Sequence, residues 1–134
     1  MPPRRLQLVA ADDDRDTLLT LAMILRDEGH IVHAAHRSDA VMPLVQCARP
    51  DAVILDIAMP GQSGYALAQD IQAAYYAARK PLLIAVTGEY KRPSDRLLSQ
   101  LVGFDHYLLK PYAPAELIEL LAPLTFPPDP REAA

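Results

Sequence analysis

The stretch Ala52-Val53-Ile54-Leu55-Asp56 decides how this chain folds, because it is a short apolar run that ends on a carboxylate. Such a run, rich in β-branched residues and bounded by polar ones, is typical of a strand that is buried on both faces of a parallel sheet. Three further apolar runs end on polar residues in the same way: residues 6–11 before Asp12, Asp13 and Asp14, residues 82–86 before Thr87, and residues 104–109 before Lys110 and Pro111. The sequence therefore predicts polar side chains at the carboxyl ends of successive strands.

Amphipathic segments and turn residues fill the intervals between these runs. Helices are predicted from the acidic cluster to Gly29, from Ser38, which can cap the helix, to about residue 48, and over residues 65–78, 93–103 and 113–121, with a second strand over residues 31–35. Pro93 and Pro114 are placed for the first turns of the last two helices. Strands that alternate with helices at this spacing form a parallel sheet covered by helices on both faces, with right-handed crossovers. We expect one doubly wound α/β domain of five βα units over residues 1–124, followed by a short, proline-rich, disordered tail, residues 125–134.

The composition of the whole chain fits a single globular domain. Of its 134 residues, 51% are hydrophobic and 22% are charged. The net charge of −4 offers no cluster of basic side chains for the phosphates of nucleic acid, so direct nucleic-acid binding is not expected. No apolar stretch reaches the ~18 residues that cross a bilayer, and no apolar signal segment follows Met1. Cys47 is the only cysteine, which suits a reducing compartment, and we expect a cytoplasmic protein.

The carboxylates of Asp12, Asp13 and Asp56 are expected to meet at one edge of the sheet, because open α/β sheets bind ligands outside the carboxyl ends of their strands. Three negative charges at one place repel each other unless a cation or a proton relieves them. Mg²⁺ prefers oxygen ligands and is usually held by one or two carboxylates together with phosphate oxygens and water. The acidic cluster therefore predicts a magnesium site, beside which Asp56 can act as a carboxylate nucleophile toward phosphorus.

Thr87 and Lys110 add to the predicted site two groups that bind phosphoryl oxygens. The Thr87 hydroxyl can donate a hydrogen bond to one oxygen of a phosphoryl group. Lys110 carries a point charge on a long side chain and can pair with another oxygen. Together with the acidic cluster, these residues predict a site where a phosphoryl group is transferred to Asp56.

In these motifs the chain resembles the receiver domains of two-component response regulators, over residues 6–121. The shared motifs, in order, are Asp12-Asp13 after the first strand, Asp56 followed by Met59-Pro60-Gly61, Val86-Thr87-Gly88, and Tyr107 three residues before Lys110-Pro111. The resemblance implies a flavodoxin-like, five-stranded parallel sheet in the order 2-1-3-4-5, an order also known in a chemotaxis receiver. It also implies a cis peptide bond between Lys110 and Pro111.

The resemblance further implies how a metal and a phosphoryl group would bind. Asp13, Asp56 and the backbone carbonyl of Ala58 would bind Mg²⁺ directly, and Asp12 would act mostly through water. Asp56 would accept a phosphoryl group from a sensor histidine kinase or a histidine phosphotransfer protein. Lys110 would pair with the transferred group.

A conformational switch is also part of what the resemblance implies. Thr87 would move toward the phosphoryl group and Tyr107 would turn inward, which changes the surface formed by the fourth helix, the fifth strand and the fifth helix. Such a domain catalyses only its own phosphorylation and dephosphorylation. We therefore do not expect an enzyme that acts on a separate substrate.

Three other functions remain as alternatives at this point. A degenerate receiver that docks to other proteins without being phosphorylated is the main one, although the complete acceptor set argues against it. A haloacid-type phosphotransferase also uses an aspartate nucleophile at a strand end, but it needs a second aspartate two residues later, where this chain has Ala58. A flavodoxin-like FMN-binding protein shares the fold, yet the carboxylates after the first strand would repel the flavin phosphate.

Overall fold

The computed structural model of the chain describes residues 4–75, 80–88 and 103–125. Five strands lie in this part of the chain: β1 (Gln7–Ala11), β2 (Ile31–Ala35), β3 (Ala52–Asp56), β4 (Leu82–Thr87) and β5 (His106–Leu109). It also contains the helices α1 (Arg15–Asp27), α2 (Val41–Ala48), α3 (Gly64–Ala74) and α4 (Pro114–Thr125), and a 3₁₀ turn, Ser38–Ala40, that precedes α2. α4 is the fifth helix predicted from the sequence. Residues 93–102 of the predicted fourth helix and residues 126–134 of the predicted tail lie outside the described residues.

The five strands form one parallel sheet in the order β2-β1-β3-β4-β5, which confirms the predicted order. β3 is the central strand, and every residue in it is buried, as expected for an apolar strand that is covered on both faces. The aligned pairs at the carboxyl ends are Ala11 with Leu55, Asp56 with Val86, and Thr87 with Leu109. The residues that end or follow these strands are therefore brought to a common edge.

Two hydrophobic cores cover the sheet, one on each face, because side chains alternate between the two faces along every strand. One core packs the strands against α2 and α3, and its buried members include Val9, Val45, Val53, Leu55, Leu67 and Ile71. The other packs them against α1 and α4 and includes Leu8, Leu18, Leu25, Ile54, Leu117 and Leu121. Each fully buried side chain of this size contributes about 1.5–3 kcal/mol. The cores thus account for helices on both faces, as the sequence predicts.

Two aspartates fix the register at the opposite edge, where the strands begin. Asp51, just before β3, donates its backbone N–H to the Gln7 carbonyl (2.7 Å) and accepts the Gln7 N–H on its carboxylate (2.8 Å). The Asp51 carbonyl also accepts the N–H of Leu82 in β4 (3.0 Å). Asp105, just before β5, forms the same pair of bonds with Leu83, at 2.8 and 2.9 Å. These bonds align the strands from their first residues.

The helix boundaries agree with the sequence at some ends and differ at others. Gly29 follows α1 with φ +96°, and Pro114 is the first residue of α4, both as predicted. α4 continues to Thr125, beyond the predicted end at residue 121. The prediction that Ser38 caps the second helix is wrong, because its hydroxyl bonds to the loop after β3 and neither the 3₁₀ turn nor α2 has a side-chain cap. Among the described residues, no helix is sufficiently long and apolar to cross a membrane.

Substitution of Gly64, the first residue of α3, by alanine tests how closely this helix packs against the end of β3. Alanine is normally better than glycine in a helix by about 1 kcal/mol. Here, however, an alanine Cβ would lie 2.7 Å from the Ile57 Cα and 3.1 Å from the Asp56 carbonyl oxygen. We therefore expect Gly64→Ala to lower the free energy of unfolding by about 1–3 kcal/mol in a denaturant titration.

The control for this experiment is Ala73→Gly, at an exposed position of α3. It reports the intrinsic difference between alanine and glycine in this helix and should cost about 1 kcal/mol. A Gly64→Ala protein that is more stable than the parent would contradict the close packing of Gly64 against Ile57.

Candidate functional site

The structure brings the predicted site residues together at the carboxyl edge of the sheet. Asp12 and Asp13 follow β1, Asp56 ends β3, Thr87 ends β4, and Lys110 follows β5. One carboxylate oxygen from each of Asp12, Asp13 and Asp56 lies within 4.8 Å of the others. Residues that are far apart in sequence therefore form one polar cluster, in the crevice where open α/β sheets bind ligands.

Asp12 is buried, with 4% of its surface exposed, and both of its carboxylate oxygens accept hydrogen bonds. Oδ2 accepts from Lys110 Nζ at 2.7 Å, and Oδ1 accepts from the Asp14 backbone N–H at 2.9 Å. Asp14 is itself the N-cap of α1, where its carboxylate accepts the N–H groups of Asp16 and Thr17. The turn that starts α1 therefore fixes the orientation of Asp12.

Asp56 is buried at the end of the central strand, in surroundings that disfavour its charge. Its Oδ1 accepts the Ala58 N–H at 3.1 Å, and its Oδ2 accepts from Lys110 Nζ at 3.5 Å. Burial raises the pKa of the Asp56 carboxyl above its usual value. The Ala58 hydrogen bond and the Lys110 charge oppose this rise without cancelling it, and the neighbouring Asp12 adds to it. A cation bound beside Asp56 would stabilise its ionised form.

Lys110 reaches both buried carboxylates from the end of β5. Burial by itself would lower the pKa of its ammonium group, but the hydrogen bond to Asp12 and the charge of Asp56 outweigh it, so the Lys110 pKa is raised. Its backbone N–H donates to the Thr87 carbonyl at 2.7 Å, which ties the end of β5 to the end of β4. The peptide bond between Lys110 and Pro111 is cis, as the resemblance to receiver domains implies.

The Asp13 carboxylate and the Ala58 carbonyl have no hydrogen-bond partner among the described residues. Asp13 is exposed, and its carboxylate makes no hydrogen bond or ion pair with another described residue. Ala58 lies in the loop after β3, where its N–H donates to Asp56 while its carbonyl accepts no hydrogen bond within residues 4–75, 80–88 and 103–125. Their roles as metal ligands stay predictions.

The carboxylate cluster carries more negative charge than the one lysine within it can balance. Three carboxylates stand against the single ammonium group of Lys110 in the described part of the site. Like charges this close disfavour each other's ionisation unless something compensates them. The atoms that could bind a cation here are all carboxylate oxygens, which suit Mg²⁺ and other hard cations. These possible ligands therefore fit the predicted metal.

Thr87 and Tyr107 lie on neighbouring strands beside the cluster. Thr87 is buried at the end of β4, next to the backbone of Lys110. Tyr107 is partly buried in β5, aligned with Ala85, and packs against the core on the side of α2 and α3. The structure thus places Thr87 at the site and Tyr107 one strand away. The movement of these two residues stays a prediction, and the part of the predicted switch surface on residues 93–102 falls outside the described residues.

Ser38 has no role at the site in the sequence analysis, yet the structure places its hydroxyl against the loop that follows Asp56. Ser38 Oγ donates to the Pro60 carbonyl at 3.1 Å and accepts the Gln62 N–H at 3.2 Å. These partners are 22 and 24 residues away along the chain, so no local pattern connects them. In the sequence, Gly61 indicates a tight turn at this place, because glycine favours the positive φ of +86° that the turn adopts.

The sequence matches the family of response regulator receiver domains over residues 8–122, and the chain therefore belongs to this family. The match covers β1 from its second residue, all of β2 to β5, and the described site residues. It confirms the resemblance that the motifs around Asp12, Asp56, Thr87 and Lys110 indicate.

One relative and two solved structures illustrate what this chain is similar to. A protein of Leptolyngbya boryana, described as an uncharacterized 14.6 kDa protein in the sodA1 3' region, is 35% identical in an alignment of 127 residues that covers 93% of this chain and 95% of that protein. The chemotaxis protein CheY4 of Vibrio cholerae matches with a TM-score of 0.80 and 24% identity, over 88% of this chain and 97% of that one. The BeF3-activated N-terminal receiver domain of RstA from Klebsiella pneumoniae matches with a TM-score of 0.79 and 25% identity, over 91% and 99% of the two chains. The flavodoxin-like fold is thereby confirmed.

Asp56→Asn should stabilise the folded protein in a chelating buffer near neutral pH, because it removes one of three clustered carboxylates. The raised pKa means that the folded state binds the Asp56 proton more tightly than the unfolded chain does. The ionised carboxylate therefore destabilises the fold above its folded-state pKa, and this effect vanishes as the pH falls below the ordinary value of 3.8. Thermal unfolding in EDTA, from pH 7 downward, should show a gain of a few degrees at pH 7 and none in acid.

Glu119→Gln, on the exposed surface of α4, is the matched control and should leave the unfolding midpoint close to that of the parent. Excess Mg²⁺ should narrow the difference between Asp56→Asn and the parent, because the cation compensates the parent cluster. An Asp56→Asn protein that is less stable than the parent in EDTA at pH 7 would show that Lys110 already balances the cluster.

Proposed function

We propose that this chain is a phosphoacceptor domain that receives a phosphoryl group on Asp56 from a sensor histidine kinase or a histidine phosphotransfer protein. The observation that carries the proposal is the ammonium group of Lys110, which lies 2.7 Å from Asp12 and 3.5 Å from Asp56 within a cluster of three carboxylates. A buried carboxylate that could act as a nucleophile, an ammonium group on a long side chain and a cluster of carboxylate oxygens that could bind a cation thus lie together at the strand ends. Membership of the receiver family supports the same chemistry.

Mg²⁺ would be held by Asp13, Asp56 and the Ala58 carbonyl, with Asp12 acting through water. Both Asp12 oxygens already accept hydrogen bonds, from Lys110 and from the turn that starts α1, which supports an indirect role. The Asp13 carboxylate and the Ala58 carbonyl have no such partners in the described chain, which supports a direct one. The cation would neutralise the cluster and polarise an oxygen of the incoming phosphoryl group.

Phosphoryl transfer would form a bond between an Asp56 carboxylate oxygen and phosphorus, and break the bond between phosphorus and the donor's histidine nitrogen. The product is an acyl phosphate, and the electron pair of the broken bond stays on the imidazole, which takes up a proton from solvent. Lys110 can turn from Asp56 to a phosphoryl oxygen, because its side chain is long and flexible. The Thr87 hydroxyl would bind a second oxygen. Both contacts stabilise charge on the transferring group.

The phosphorylated site would bias the domain between two conformations. A phosphoryl group can shift such an equilibrium only through contacts that differ between the two states. Thr87 would supply one such contact, and Tyr107 lies on the next strand in a half-buried position, where inward movement would alter the face formed by the predicted fourth helix, β5 and α4. The domain would act on its own Asp56 only, and we propose no turnover of a separate substrate.

The alternative functions are less well supported by the geometry. A docking domain that is never phosphorylated would need no groups for phosphoryl oxygens, yet Thr87 and Lys110 both lie beside Asp56 at the carboxyl edge of the sheet. A haloacid-type phosphotransferase would need a second carboxylate at position 58, where the chain has alanine.

Incubation with acetyl phosphate and Mg²⁺ should add one phosphoryl group to the protein, observed by intact-mass spectrometry. Asp56→Asn should abolish the adduct because it removes the nucleophile. Replacement of Mg²⁺ by EDTA should slow the reaction by about 100-fold, since about 3 kcal/mol of charge stabilisation would be lost. Glu119→Gln should react like the parent. An adduct on Asp56→Asn, or equal labelling in EDTA, would refute the proposed function.

Thr87→Ala separates phosphorylation from the response of Tyr107. The variant should still form the adduct on Asp56, about tenfold more slowly, because one hydrogen bond to the phosphoryl group is missing. The NMR signals of the Tyr107 ring should shift in the parent when the phosphate mimic beryllofluoride binds, and should shift much less in Thr87→Ala. Equal Tyr107 shifts in both proteins would mean that Thr87 does not couple the two positions.

A further inference from the structure

The loop that joins β3 to α3, residues 57–63, contains Ala58, and backbone hydrogen bonds fix its two ends. The Ile57 N–H donates to the Val86 carbonyl at 3.0 Å, and the Ile57 carbonyl accepts the Gly64 N–H at 3.1 Å. These two bonds close the loop at its ends. In the described part of the chain, the backbone at the middle of the loop is held by Ser38, which reaches it from the 3₁₀ turn before α2.

The Ser38 hydroxyl uses both of its hydrogen-bonding functions on this loop. It donates to the Pro60 carbonyl and accepts the Gln62 N–H, and Ser38 is buried, with 9% of its surface exposed. Gly61, between the two partners, has φ +86°, and a Cβ placed on it would lie 2.7 Å from Ser38 Oγ. One hydroxyl group therefore fits a space that exists because residue 61 is glycine.

This contact lies beside the candidate metal site. A cavity of about 480 Å³ has Asp13 in its wall together with Ser38, Pro60, Gly61 and Gln62. Ala58 is two residues before Pro60, and Met59 between them is buried. Because residues 58–60 form a short segment and Met59 within it is buried, a movement of the Pro60 carbonyl would also move Ala58.

We propose that Ser38 is a positioning residue for the magnesium site: its hydroxyl holds the loop so that the Ala58 carbonyl is available to the cation. The inference rests on the proposed function, since it takes the Ala58 oxygen to be a metal ligand. Alanine at position 38 would remove the hydroxyl that joins the Pro60 carbonyl and the Gln62 N–H to the 3₁₀ turn, so the middle of the loop would lose this anchor and could move. Removal of a group that orients a metal ligand typically lowers metal affinity by about 10–100-fold.

Magnesium titration of Ser38→Ala, followed through the backbone amide signals of Asp13 and Ala58, tests the proposal. We expect an affinity about tenfold below that of the parent. Ser63→Ala is the matched control, because the Ser63 hydroxyl lies at the end of the same loop but caps α3 by accepting the Ala66 N–H at 3.2 Å. It should lower the melting temperature and leave the magnesium affinity within about twofold of the parent.

The outcomes separate a positioning role from a general loss of stability and from the proposed function itself. An unchanged magnesium affinity in Ser38→Ala, or a fall no larger than in Ser63→Ala, overturns the role of Ser38. A parent protein that binds no Mg²⁺ and accepts no phosphoryl group overturns the proposed function instead. If Ser38→Ala does not fold, Gly61→Ala tests the same contact from the loop side, and an unchanged affinity there also overturns the proposal.

Discussion

The ammonium group of Lys110 lies between the buried carboxylates of Asp12 and Asp56, and the organisation of the site depends on this contact. It joins the end of the edge strand β5 to residues that end or follow β3 and β1, which are separated from it by 54 and 98 positions in the sequence. Removal of Lys110 would leave both carboxylates without the cation that pairs with them, and an uncompensated buried charge is strongly destabilising. In the proposed reaction, Lys110 turns toward a phosphoryl oxygen. The same ammonium group that stabilises the unphosphorylated site would then stabilise the transferred group.

The parts of the structure that could be predicted are those set by local patterns. Asp56, Thr87 and Lys110 each end or follow an apolar strand, and parallel strands of one sheet bring such ends together whatever the details of packing. Gly29 and Pro114 mark helix ends through the backbone preferences of a single residue. The five-unit architecture follows from the same local signals repeated along the chain.

The parts that could not be predicted depend on contacts between distant segments. A serine before a helix is as well suited to cap that helix as to bind elsewhere, and only the folded chain shows that Ser38 bonds to Pro60 and Gln62. The sequence also could not predict that Lys110 lies closer to Asp12 than to Asp56. This difference follows from the orientation of one carboxylate, which the turn into α1 sets and which no periodicity encodes.

One aspartate precedes β3 and another ends it, and the direction of the parallel strands gives the two carboxylates different hydrogen-bond partners. Asp51 stands where strands begin, so a neighbouring N–H group from Gln7 is there to satisfy its carboxylate. Asp56 stands where strands terminate in carbonyl groups, which cannot donate, so its carboxylate accepts hydrogen bonds from the Ala58 N–H of the following loop and from Lys110. The direction of the strands thus makes one aspartate a hydrogen-bond acceptor that fixes the register and places the other in the polar cluster of the candidate site. In an antiparallel sheet, each edge would present both kinds of strand end, so the two environments would not be separated in this way.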